Sequence, residues 1–244
     1  MFALYKKELS GFLSSLSGYV VIIVFTTLNG LFLWLVPGEL NLLEGGYATL
    51  SPLFQVSPWM FLFLIPAITM RMISEERKTS TLDVLLTQPR TQLELILAKY
   101  FASLSLAVIA LIPTVIYLIS IGMLGSPAFN LDMGSILGSY IGLLFLAACY
   151  TSVGIFASSL SENTIVAFII AVLLCFIIYS GFDYASRMFE SGATGELILN
   201  LGIDAHYQSI SRGVIDSRDI IYFLSVISIF ITGTSLKIKS ILWN

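Results

Sequence analysis

The sequence predicts an all-α polytopic membrane protein with six transmembrane helices and both termini on the cytoplasmic side. Three observations carry this: where charge is missing, how long the charge-free runs are, and how Lys and Arg are distributed. Of 244 residues, 57% are hydrophobic and only 11% are charged. Residues 9–38, 45–70, 100–131, 133–161, 163–182 and 220–236 contain no Asp, Glu, Lys or Arg. A helix needs about 20 apolar residues to cross a hydrocarbon core of about 30 Å. The first five runs reach that length, and 220–236 must extend or tilt. Strands of a membrane barrel alternate polar and apolar residues, which these runs do not.

The spans so predicted are 18–36, 57–73, 100–124, 134–159, 164–182 and 220–236, within one transmembrane domain covering 1–244. An even number places both termini on one side. With the N-terminus inside, nine basic residues are cytoplasmic (Lys6, Lys7, Arg71, Arg77, Lys78, Arg90, Lys99, Lys237, Lys239). Only Arg187, Arg212 and Arg218 are then outside, as the positive-inside rule requires. The net charge of -3 hides this asymmetry, because nine of the 15 acids fall in the outer segments.

Taken in order, residues 2–16 place Phe2, Tyr5, Leu9, Phe12, Leu13 and Leu16 at helical spacing. This pattern predicts an interfacial amphipathic helix, the other reading being an inward extension of span 1. Two lysines before a long apolar run without an Ala-x-Ala-like end do not read as a cleavable signal. Span 1 carries a polar patch, Thr26, Thr27 and Asn29, which either hydrogen-bonds a neighbouring helix or faces a translocation path. The turn-rich PGELNLLEGGYATLSP then forms an outer loop.

After span 2 comes SEERKTSTLDVLLTQPRT at 74–91. Ser80-Thr-Leu-Asp83 and Thr91-Gln-Leu-Glu94 both fit the capping-box pattern. The first starts a short helix near Thr81, ended before Pro89, and the second starts a helix running into span 3. Leu82, Leu85 and Leu86 give the short helix an apolar face, suited either to resting on lipid or to docking a protein.

Span 4 opens with Gly134, Gly138 and Gly142 on one helical face, where a helix of this chain or of a second copy can approach closely. Only SLSEN separates spans 4 and 5, which predicts a tight hairpin. The loop 183–219 is the longest outer segment, and TGELILNLGI within it reads as a short helix on the outer leaflet. Cys149 and Cys175 fall in different spans and read as buried thiols.

Several of these pieces together resemble the ABC-2 type transporter permeases. Glu-Glu-Arg, a turn, Thr-Leu-acid-x-Leu-Leu and a Pro resemble that family's first cytoplasmic loop. KKELSGFLSSLSGYV at 6–20 is similar to its helix leading into span 1, and SSLSENTIVAFII at 158–170 to its short turn between spans 4 and 5. HYQSISRGVIDSRDIIYFLS at 206–225 resembles the approach to span 6. In combination they are most similar to gliding-motility-associated permease subunits (the GldF type). Two positions depart from the pattern: Ser80 where the family usually has Gly, and Leu16 where a Pro is common.

The resemblance implies a non-catalytic permease subunit of the bacterial inner membrane. A coupling helix at about 80–88 would engage a separate ATPase chain through Glu75, Glu76, Arg77, Ser80, Thr81, Leu82, Asp83, Leu85 and Leu86. It further implies a second permease copy or homologue, a path bordered by spans 1, 2 and 5, and ATP with Mg on the partner. No G-x-x-x-x-G-K-[ST] loop occurs in this chain, so no nucleotide is expected on it. Neither metal nor nucleic acid is expected as a ligand.

Other function classes fit less well. Glu75-Glu76 resembles the start of the CAAX-type membrane protease motif, but Ser80 stands where that motif needs Arg. The lone His206 lies in the outer loop and reads as a solvated or capping side chain. A channel or secondary transporter lacks the expected buried charge at mid-membrane.

Overall fold

The computed structural model describes residues 1–81, 91–189 and 192–242, which form helices and connecting turns without a strand. Five helical stretches are long and apolar enough to cross a membrane: Ser51–Lys78, Gln92–Leu124, Met133–Leu160, Thr164–Arg187 and Ser217–Ile241. The pair Phe2–Ser14 and Gly18–Trp34, bent by 64°, supplies a sixth when counted as one. The chain is therefore a multi-pass helical membrane protein.

Helix α1 (Phe2–Ser14) meets α2 (Leu16–Trp34) at Ser15, whose backbone is extended and whose hydroxyl accepts from the Gly18 amide. A Cβ on Gly18 would lie 2.2 Å from the Phe12 carbonyl oxygen, so this sharp bend needs glycine. With Ser15 as cap, Leu16 is the first helical residue. That is the position where proline's fixed φ and missing N–H would cost least.

The second span is α3 (Ser51–Thr69), which starts earlier than the predicted 57 with Pro52 in its first turn. A break at 70–73 follows, then α4 (Ser74–Lys78). The third span begins at the Thr91 cap, whose hydroxyl accepts from the Glu94 amide at 3.3 Å. It runs through α5 (Gln92–Leu111), a 3-10 turn at Ile112–Thr114 and α6 (Val115–Leu124). Pro113, lacking a backbone donor, lies in that turn.

Helix α7 (Met133–Leu160) is capped by Asp132, and α8 (Thr164–Phe176) by Asn163, leaving a three-residue turn between them. A π-helical turn, Ile177–Gly181, carries α8 into α9 (Phe182–Arg187). The segment between α9 and the last helix holds α10 (Ala193–Leu199) and α11 (Ile203–Ser211). The chain then crosses back as α12 (Ser217–Leu242), which continues past Lys237 and Lys239.

The core is built on α7. Its membrane window is 78% buried, against 22% for α12, and α3, α8, α11 and α12 all pack on it. Small residues permit this. A Cβ on Gly154 would lie 2.0 Å from the Thr69 hydroxyl of α3, and one on Gly138 would lie 2.5 Å from the Ile210 carbonyl oxygen of α11. Tyr207 packs beside Gly142, and its hydroxyl donates to the Phe54 carbonyl at 2.8 Å. Ser135 and Ser139 both donate to the Ser211 carbonyl. Gly134 offers its backbone to Gly213, which adopts a φ of +86° there. The glycine face is thus occupied from within the chain by α11, a helix that lies in the segment expected to be a loop.

A second buried cluster joins Met72, Ile73, Ile96, Tyr100, Ile155 and Ile238, with Tyr5, Leu9 and Phe12 of α1 packed on it. The N-terminal helix and the end of α12 therefore sit at one end of the bundle, together with Arg71, Arg77 and Lys99. We call this the basic end.

Gly138→Val should force the Ile210 backbone away, at about 1–3 kcal/mol, the usual range for overpacking. Gly134→Ala, with only ordinary contact at 3.4 Å, should be neutral. Thermal unfolding in detergent checks this, and equal midpoints for the two variants would contradict the seating of α11.

Candidate functional site

The segment that resembles a coupling loop leaves the membrane at the break between α3 and α4. One hydroxyl serves three backbone groups at this break. Ser158 of α7 accepts from the amides of Ile73 and Ser74, each at 3.0 Å, and donates to the Met70 carbonyl at 2.9 Å. Ser74 donates to the same carbonyl. The exit of the segment is thereby fixed to the most buried helix.

Two neighbouring residues of α4 then bind in different directions. Glu76 accepts from the Lys99 ammonium at 2.5 Å, and Glu8 of α1 lies 3.4 Å from the same nitrogen. Lys99 is only 1% exposed. A cation so desolvated needs close carboxylates, since an unpaired one costs several kcal/mol. The triad therefore ties α1, α4 and α5 together at the basic end. Arg77 donates to the Ser159 carbonyl at 2.9 Å and to Glu162 at 3.1 Å, reaching the turn between α7 and α8. Glu162 is largely exposed, so this second link contributes little by itself. Glu75 is exposed and makes no ion pair among the described residues.

Beyond α4 the chain turns at Ser80, which holds a φ of 54°. Thr79 donates to the Glu75 carbonyl at 2.8 Å, and its hydroxyl lies 3.0 Å from that of Thr81. Thr81 is helical, and Leu82, Asp83, Leu85 and Leu86 lie outside the described residues. This left-handed conformation is one that glycine adopts without the steric cost a serine meets.

The other candidate residues separate. Asn29 is fully buried: its amide donates to the Phe25 carbonyl at 2.8 Å, and Ser57 of α3 donates to its side-chain oxygen at 3.4 Å. Thr26 donates to the Ile22 carbonyl, while its own carbonyl accepts from Tyr117 at 3.0 Å. Thr27 alone of the three is exposed. It shares a face of α2 with Val20, Val24 and Leu28, which with Phe63 of α3 and Phe168 of α8 line an apolar groove of about 390 Å³.

At the opposite end His206 caps α10 at its C-terminal Asn200 rather than standing in solvent. Its Nδ1 lies 2.7 Å from Asp219, its Nε2 lies 3.0 Å from the Asn200 carbonyl, and its ring stacks on Tyr222 at 3.9 Å. Cys149 and Cys175 are buried free thiols. Among the described residues no group of three or more His, Cys, Asp or Glu is placed to hold a metal ion.

Sequence reasoning missed Lys99 as a site residue, counting it only toward sidedness. Nothing in the local pattern marks it, because its partners lie 91 and 23 residues away.

Two outcomes follow from this geometry. Ser80→Gly should stabilise the protein by about 1 kcal/mol, the cost of a left-handed non-glycine residue, read as a higher unfolding midpoint. Lys99→Met should lower the midpoint, because it leaves Glu8 and Glu76 facing each other, and adding Glu76→Gln to it should recover part of the loss. A double mutant no more stable than Lys99→Met would contradict the triad.

No curated protein matches the chain. The family model described as "ABC-2 family transporter protein" matches residues 2–235, nearly the whole of the described bundle. With its multi-pass helices and a matched region that takes in the segment at 74–91, this chain belongs to the ABC-2 family of transporter proteins, as a membrane subunit of the permease kind.

Proposed function

We propose that this chain is the non-catalytic permease of a transporter whose free energy comes from ATP hydrolysed on a separate ATPase subunit. The observation that carries this reading is the way the stem of the 80–88 segment is held. Glu76 links it to α1 and α5, Arg77 links it to the turn between α7 and α8, and Ser158 fixes its exit. A push on the segment would therefore reach four helices of the bundle.

In this reading Leu82, Leu85 and Leu86 dock in the ATPase, with Asp83 and Thr81 shaping the helix that presents them. ATP and Mg reside on that partner, and this chain binds no cofactor. The transporter is a dimer with a second copy or a homologue. The basic end, with Arg71, Arg77 and Lys99, faces the cytoplasm under the positive-inside rule, giving six spans in a bacterial inner membrane. The groove between α2, α3 and α8 borders the path, and Thr27 of span 1 is the exposed polar residue beside it. Gliding motility is the biological setting that the sequence resemblance suggests.

The test is crosslinking from Leu85→Cys with co-expressed ABC ATPases of the same genome. We expect a product that contains one ATPase chain. Products with lipid or detergent alone would sink the coupling role.

A further inference from the structure

The basic end also holds a cavity of about 610 Å³, between α1 on one side and α3–α4 with α5 on the other. Its size falls within the range of about 300–1,000 Å³ typical of small-molecule sites. Six charged residues line it: Lys7, Glu8, Arg71, Glu75, Glu76 and Lys99. Lys99 is already engaged by Glu8 and Glu76. Lys7, Arg71 and Glu75 are exposed and make no ion pair among the described residues. The second carboxylate oxygen of Glu76, Oε2, is buried and has no hydrogen-bond partner among the described residues. The remaining chemistry on the wall is therefore mixed: two free cations, one free carboxylate and one orphaned acceptor.

The geometry points to a binding site for a phosphate ester that carries a primary ammonium, supplied as the headgroup of an aminophospholipid from the leaflet at the basic end. Lys7 and Arg71 take the phosphate. The ammonium, with three N–H donors, takes Glu75 and the orphaned Oε2 of Glu76. A purely anionic headgroup would meet Glu75 and leave Oε2 unsatisfied. A choline headgroup has no N–H to offer it. The lipid source is favoured over a soluble one by the rest of the lining: Phe12 and Met72 are apolar, and α1 lies bent at 64° from the first span with Phe2 and Leu16 exposed beside it. That arrangement provides a hydrophobic approach for acyl chains at the level of the headgroups. This assignment does not depend on the ATPase reading, since the ligand touches only this chain.

Native mass spectrometry of the full chain released from micelles is the test. The chain is offered equal amounts of phosphatidylethanolamine, phosphatidylcholine and phosphatidylglycerol with matched acyl chains. We expect phosphatidylethanolamine adducts to dominate, by roughly tenfold for one charge-assisted hydrogen bond. Glu75→Gln should reduce that preference over phosphatidylcholine, and Arg71→Ala should weaken retention of all three lipids. Both side chains are exposed, so both variants should fold. Equal retention of the three lipids by the wild-type chain, or a preference untouched by Glu75→Gln, would overturn the site. Soluble glycerophosphoethanolamine, added at the lipid concentration, should not displace the adduct. Displacement would overturn the assignment to lipid and identify a soluble ligand instead.

Discussion

A buried ammonium held between two carboxylates organises the basic end of this protein. Lys99 sits in α5, Glu76 in the short helix that leaves the membrane, and Glu8 in the N-terminal helix. Each member is tolerable at its depth only because the others are present: removing the cation would leave two acids together, and removing an acid would leave a desolvated cation less well compensated. The requirement is mutual, so three elements far apart in sequence take up one arrangement. Hydrophobic packing alone would not do this, because the apolar faces of α1 and α5 could slide along each other at little cost, whereas an ion pair of this kind fixes register.

The remainder of the bundle obeys a different constraint. Inside a membrane, lipid tails compete equally for apolar surface, so helices associate through close backbone approach and local hydrogen bonds. Helix α7 supplies both. Gly138 and Gly154 let α11 and α3 come within contact of its backbone, and Ser135, Ser139 and Ser158 reach across to their partners' backbone groups. The apolar side chains exposed on α2, α8 and α12 are left for lipid or for another subunit.

Much of this was legible in the sequence, and the limits have physical causes. Charge-free runs located the membrane helices because desolvating a charge outweighs most local preferences. The Thr91 cap was readable because its partner lies three residues on. The glycine spacing marked a close approach, although it did not name α11 as the occupant. That helix carries its buried Ile203, Tyr207 and Ile210 at helical spacing, but between glycines and polar residues that read as loop. The polar patch of span 1 could not be resolved by composition, since Asn29 is satisfied through Ser57, 28 residues away. The π-helical turn at Ile177–Gly181 has no local signature at all.

The bend at Gly18 has a mechanical meaning beyond its geometry. A flexible linker would let α1 drift without disturbing the first span. Here the Gly18 backbone rests directly against Phe12, leaving no room even for a methyl group, so α1 and α2 behave as the two arms of a bell crank. A displacement of α1, delivered through Glu8, would become a tilt of α2. The same joint would work in reverse: a tilt of α2 would be felt at the Lys99 triad.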